Sequence, residues 1–196
     1  MIITAIDYEQ KDWFAVKHGM VIYHFDVTTF VHRVLASAAD GQILRLNVVS
    51  HSGRRVLTPG EKEPELGELG IYFGNEFVSV DNVTSYAKAL GLLKPKFHPT
   101  SGYVCLYNCS AGKQKRLMMY LSQTIGVPVM ANTASTWHYK GSDLKSRSGT
   151  YGHWLKCASD GCQGTLYSLL PDPLPEFIRM VGDAVTEKYL EATKSE

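Results

Sequence analysis

Short apolar runs alternate with amphipathic stretches along most of the chain, and this alternation predicts strands and helices in turn. Ile2 to Ile6 and Met20 to Phe25 read as strands. Val27, Phe30, Val31, Val34, Leu35 and Ala38 then recur at helical spacing, with Asp26 set to cap the first turn and Gly41 to close the helix. Ile43 to Val49, rich in β-branched residues, predicts a further strand that runs into Ser50-His51-Ser52-Gly53. The polar stretch from Arg54 to Gly70, broken by glycine and proline, reads as a long loop of the kind that often carries function.

The second half repeats the logic. Ile71 to Val80 predicts a hairpin over Gly74-Asn75, and Asp81 is placed to cap a helix with Val83, Tyr86, Ala87 and Leu90 inward and Gly91 at its end. Tyr103 to Tyr107 reads as a buried strand leading into Asn108-Cys109-Ser110-Ala111-Gly112. A helix with Leu117, Met118, Leu121 and Ile125 inward follows, ended by Gly126, and Val127 to Ala131 is the next strand. Residues 150–170 predict a β-hairpin turning at Ser159-Asp160-Gly161, and Phe177 to Leu190, within 173–190, predicts a closing helix. Strand-helix-strand units of this length predict an α/β fold, a largely parallel sheet with helices on both faces, in a single domain over 1–196.

Composition narrows the function classes. With 44% hydrophobic and 20% charged residues and a net charge of +1, the chain reads as globular and lacks the basic surplus of a nucleic-acid binder. No run of ~18 apolar residues predicts a membrane span, and acidic residues come too early for a cleaved signal peptide. The expected compartment is the cytoplasm, with signal-less export left open. Four cysteines do not describe a disulfide scaffold. Cys105 and Cys109, about 13 Å apart on one extended segment at ~3.3 Å per residue, cannot pinch one zinc ion. Cys157 and Cys162 flank a turn, where they pair, share a metal, or (the commoner case) serve as plain strand residues. No metal or other cofactor is called for.

In open parallel sheets ligands gather at the carboxyl ends of strands, and two reactive side chains fall there: His51 after one apolar strand and Cys109 after another. A base and a soft nucleophile on neighbouring strand ends need no long reach to meet, and imidazole can accept the thiol proton. Lys113, Lys115 and Arg116 follow Cys109 at the expected helix start. Cations there oppose the helix dipole, so stability does not select them, whereas beside a thiol they favour its reactive form. Ser52 in His51-Ser52-Gly53 is not a serine-hydrolase elbow, because Ser50 and Arg54 stand where glycines belong.

Val48-Val49-Ser50-His51-Ser52-Gly53, then Leu106-Tyr107-Asn108-Cys109-Ser110-Ala111-Gly112, an amphipathic helix and the segment from Gly126 to Thr133 together resemble the caspase-like superfamily of cysteine peptidases, over about residues 43 to 136. The nearest resemblance is to the bacterial caspase-like domain of large surface proteins. It implies a peptidase acting on a protein or peptide, with His51 and Cys109 as catalytic dyad and backbone N–H groups of Ser52, Gly53 and Cys109 as oxyanion donors. It also implies a substrate-selecting role for Asp7, as an acidic residue near the strand ends. Asn132, Thr133, Ser135 and Trp137, after the following strand, are pocket-wall candidates. One departure matters: the family has glycine directly after the histidine, and here Ser52 intervenes before Gly53. That departure motivates a second class of function, a catalytically silent interaction module.

A rival also uses Cys109. Asn108-Cys109-Ser110-Ala111 before a helix, with a later histidine, resembles papain-like cell-wall amidases of the NlpC type. That likeness implies pairing of Cys109 with His153, or less readily His138, in a peptidoglycan hydrolase or antibacterial toxin.

Overall fold

A computed structural model describes residues 1–13, 16, 19–54, 69–133, 136–137, 147–148 and 154–165. In chain order the strands are β1 (Ile2–Asp7), β2 (Met20–His24), β3 (Arg45–Val49), β4 (Ser52–Arg54), β5 (Leu69–Phe73), β6 (Glu76–Ser79), β7 (Tyr103–Leu106), β8 (Val129–Asn132), β9 (Thr136–Trp137), β10 (Arg147–Ser148), β11 (Trp154–Ala158) and β12 (Gly161–Thr165). The α-helices are α1 (Val27–Ser37), α2 (Ala87–Gly91) and α3 (Lys115–Ile125).

A seven-stranded sheet in the order β12-β11-β8-β7-β3-β1-β2 forms the centre. Its five strands from β8 to β2 are parallel, and the β11–β12 hairpin adds an antiparallel edge. The chain runs from β1 outward to β2, then returns to the other side of β1 with β3 and continues through β7 and β8. The direction of winding therefore reverses between β1 and β3, and such a switch point opens a crevice at the carboxyl ends of the two strands.

Strand alternation sorts the side chains. Ile3, Ala5, Leu46, Val48, Val104, Leu106, Val129 and Ala131 join one core cluster with the inward residues of α1, α2 and α3. Ile6, Val49, Cys105, Tyr107, Met130 and Trp154 form a second cluster on the opposite face. The predicted closing helix falls outside the described residues, and the inward residues of α1, α2 and α3 all belong to the first cluster. No described helix is long and apolar enough to cross a membrane.

α1 begins as the sequence predicts. Asp26 accepts from the Thr29 backbone N–H at 2.6 Å, Thr29 returns a side-chain contact to the Asp26 backbone, and Val27, Phe30, Val31 and Val34 are buried. The helix ends at Ser37, with Ala38 extended, so Gly41 shapes the following turn instead of closing α1. β5 and β6 turn over Gly74-Asn75 as predicted. Gly74 has φ +63, and a Cβ there would lie 1.9 Å from the Phe25 carbonyl oxygen, so only glycine lets the hairpin seat on the end of β2. From that seat Glu76 accepts the Val27 backbone N–H at 2.8 Å, a second anchor at the start of α1.

Asp81 does not cap the second helix. Asn82 accepts from Ser79 N–H at 2.8 Å and donates to the Phe77 carbonyl at 2.7 Å, which holds a turn in place of a cap. The chain then winds through a 3₁₀ turn, Val83–Tyr86, into the short α2. Cys157 and Cys162 sit opposite each other across the β11–β12 ladder and form a disulfide, not the plain strand residues that were the commoner expectation.

Candidate functional site

β3 and β7 are parallel neighbours in register from Arg45↔Tyr103 to Val48↔Leu106. His51 and Cys109 each lie three residues beyond the last register pair, Val48↔Leu106. The Tyr107 N–H donates to the Val48 carbonyl at 2.8 Å, continuing the ladder beyond the last paired residues. Side chains then lace the two strand ends. The Asn108 amide donates to Ser50 Oγ at 2.7 Å and to the His51 carbonyl at 3.1 Å. Ser52 Oγ donates to the Cys109 carbonyl.

The His51 backbone is held from a second side, because its carbonyl also accepts the Tyr72 N–H at 2.9 Å. Its ring is exposed, while Cys109 is half-buried and outside the disulfide. A rigid backbone beneath an accessible imidazole suits a group that must exchange a proton with a neighbour and meet a substrate. The same Tyr72 bond settles how β4 faces β5. With His51 and Tyr72 bonded, antiparallel alternation turns the Gly53 N–H toward Gly70 and the Ser52 N–H away from β5. Of the two N–H groups after His51, that of Ser52 is the one outside the ladder.

Cys109 does not sit at the mouth of α3. Ser110 follows it in the left-handed region, with φ 56 and ψ 17, and a 3₁₀ turn over Ala111–Lys113 precedes α3. Gly112 explains the tight turn: a Cβ there would stand 2.7 Å from the Asn132 carbonyl carbon, so the turn lies directly on the end of β8. Lys115 and Arg116 do occupy the first turn of α3, Lys113 lies one turn earlier, and all three are exposed. Leu117, Met118, Leu121 and Ile125 are buried as predicted.

Asp7 closes β1 and is 2% exposed. Its carboxyl accepts the Glu9 N–H at 3.1 Å. Burial pushes this carboxyl up from its ordinary value; the Glu9 N–H pulls it back, the Glu9 charge adds to the rise, and the His51 charge opposes it. Asn132 is fully buried at the end of β8 and Thr133 follows it, half-buried; both make contacts of their own. Trp137 is described only as backbone, paired with Arg147 in the β9–β10 ladder. Ser135, His138 and His153 lie outside the described residues.

No family model, curated protein or solved structure matches this chain. The chemistry therefore rests on its own residues.

Sequence reading missed one feature of the site. Register places His24, Asp7, Ser50 and Asn108 in a single row across β2, β1, β3 and β7, and all four are buried, at 0%, 2%, 5% and 0% exposure. The row is the last layer beneath the strand ends, just below His51 and Cys109. Its signal was present in the sequence: each residue ends an apolar alternation at a core-facing position, and a buried polar side chain is more informative than another buried leucine. Cys105 is fully buried on the opposite face, where burial pushes its thiol up to about 12.

Proposed function

We propose that the chain is a cysteine hydrolase of caspase-like type that cleaves peptide bonds, with Cys109 as nucleophile and His51 as base. One observation carries this reading: the two residues follow adjacent, register-paired parallel strands, whose ends are tied together by Asn108 and Ser52. The imidazole takes the thiol proton, the thiolate adds to the peptide carbonyl, and the protonated imidazole gives its proton to the leaving amine. The Ser52 N–H, turned away from β5, and the Cys109 N–H are the oxyanion donors. Asn132 and Thr133, at the next strand end, stand as pocket wall. A caspase-like sheet also carries helices on both faces. The test is labelling of Cys109 by a peptide-based electrophile: loss of labelling in His51→Ala supports the dyad, and undiminished labelling contradicts it.

One observation keeps the amidase reading in play. Trp154, the residue after His153, pairs with Asn132 at the same sheet edge, and its ring meets that of Tyr107 edge-on at 5.8 Å. Under this reading Cys109 works with His153 on peptidoglycan, and His153→Ala abolishes activity.

A further inference from the structure

The hydrolase reading gives work to His51 and Cys109 but leaves open what controls the imidazole. The ionisable groups near the carboxyl ends of β1, β2 and β3 include Asp7 at the end of β1, Glu9 two residues on, His24 at the end of β2, and His51 after β3. The Ile6↔Val49 pair puts Asp7 beside Ser50, one residue short of His51. With strands ~4.8 Å apart and ~3.3 Å per residue, the Asp7 and His51 backbones lie about 6 Å from each other. The Asp7 carboxyl is fixed by the Glu9 N–H and is closed to solvent, which favours a role inside the fold over one on a pocket wall.

We infer that Asp7 is a positioning residue for the His51–Cys109 pair, stabilising the imidazolium that forms when His51 accepts the thiol proton. The inference rests on the hydrolase reading for its purpose, though not for its test. In the step itself the proton leaves Cys109 Sγ and bonds to an imidazole nitrogen, the electron pair of the S–H bond stays on sulfur, and Asp7 remains a carboxylate throughout. The charged and titratable groups about Asp7 act in opposite senses. Glu9, on the turn after β1, repels the carboxylate, whereas His51 attracts it. His24, its register partner on β2, is buried without a hydrogen-bond partner at either ring nitrogen and is held neutral, with its titration lowered to about 4. Among the described residues, a protonated His51 is the group whose charge favours the Asp7 carboxylate.

Reciprocal titration tests the pairing without any turnover. In a Cys109→Ala background, which removes the thiol as a coupled group, NMR follows the His51 ring across pH. Asp7→Asn is expected to lower the His51 midpoint by about half a unit or more, and Asp7→Glu, which keeps the charge, to restore most of it. An unchanged midpoint in a folded Asp7→Asn protein overturns the inference. Should Asp7→Asn fail to fold, His51→Gln changes an exposed ring, and linkage then requires the Asp7 carboxyl to titrate at higher pH; an unmoved Asp7 overturns the inference equally. Peptide hydrolysis by the protein with Cys109 intact is assayed separately. Its absence removes the hydrolase reading and leaves the titration result standing, while hydrolysis with uncoupled titrations leaves the dyad and removes Asp7.

Discussion

Ser52 Oγ donates to the carbonyl oxygen of Cys109, so the residue after the candidate base holds the backbone of the candidate nucleophile. Glycine at this position provides no such tie. The serine that departs from the caspase-like pattern therefore has a structural use here, joining β4 to the loop after β7. Ser52→Ala is expected to cost about 0.5–1.5 kcal/mol in urea denaturation, with an unchanged m-value, and to slow alkylation of Cys109. A variant with wild-type stability and wild-type alkylation rate would show the tie to be idle.

Asn108 is the more demanding member of the lacing. It is fully buried, its amide serves both Ser50 and His51, and its Oδ1 has no partner. Asn108→Ala removes two donors and leaves Ser50 Oγ and the His51 carbonyl short of a bond, at a cost of about 2–3 kcal/mol. Calorimetry should show the loss as a lowered Tm, together with weaker labelling of Cys109 as the two strand ends separate. A Tm within a degree or so of wild type contradicts this.

Stability should fall in acid, and His24 sets the window. Its ring lies between Phe30 and Phe73, with centroids 5.6 and 5.9 Å away, and burial above all holds its titration at about 4, against an ordinary 6.5. The Asp26 charge opposes that shift and the Arg33 charge adds to it. Between those two pH values the unfolded chain binds more protons than the native one. The contribution is therefore complete above about pH 6.5, declines as pH drops, and levels off below about pH 4, a loss on the order of 3 kcal/mol. Asp7 acts in the opposite sense just above pH 3.8, because a raised carboxyl favours the protonated native state. His24→Leu should flatten the profile between pH 6.5 and 4; a slope that persists in that variant assigns it to other groups.

The two cysteines outside the disulfide should differ sharply in reactivity. Cys105 is fully buried and its thiol is pushed up to about 12, so iodoacetamide reaches it only through unfolding. Cys109 is half-buried at a strand end. Mass mapping after brief treatment at neutral pH should find the label on Cys109 and none on Cys105, with urea exposing the second site. Equal labelling of both in buffer contradicts the described burial.

The local code of the chain was readable. Alternating apolar runs gave the strands of the parallel sheet, Asp26 gave the start of α1, Gly74-Asn75 gave a hairpin, and the Ser159-Asp160-Gly161 turn gave another. Elements whose ends depend on tertiary partners were less readable. Asp81 was a sound cap by type, yet Asn82 competes through its amide bonds to Ser79 and Phe77. The start of α3 slid to Lys115 because Gly112 is pressed against β8, a contact that periodicity cannot see. The Cys157–Cys162 bond and the buried row from His24 to Asn108 depend on register between strands, which single-strand patterns leave open. For the same reason the sequence reading set His51 and Cys109 on neighbouring strand ends without fixing the register between those strands.

Side-by-side hydrolysis by wild type, Cys109→Ala, His51→Ala, the double variant and His153→Ala tests the central claim most directly, with an unfolded protein pool and purified peptidoglycan as substrates. Both single changes at the dyad fall at a strand end and should leave stability within about 1–2 kcal/mol of wild type. Wild type should cleave the protein pool, both single variants should lose that activity, and the double variant should be hardly worse than either, because the two residues act as one unit. His153→Ala should keep most of the activity. Protein cleavage that survives Cys109→Ala or His51→Ala, or peptidoglycan release that depends on His153, would contradict the His51–Cys109 dyad, as would a folded wild type inert on both substrates.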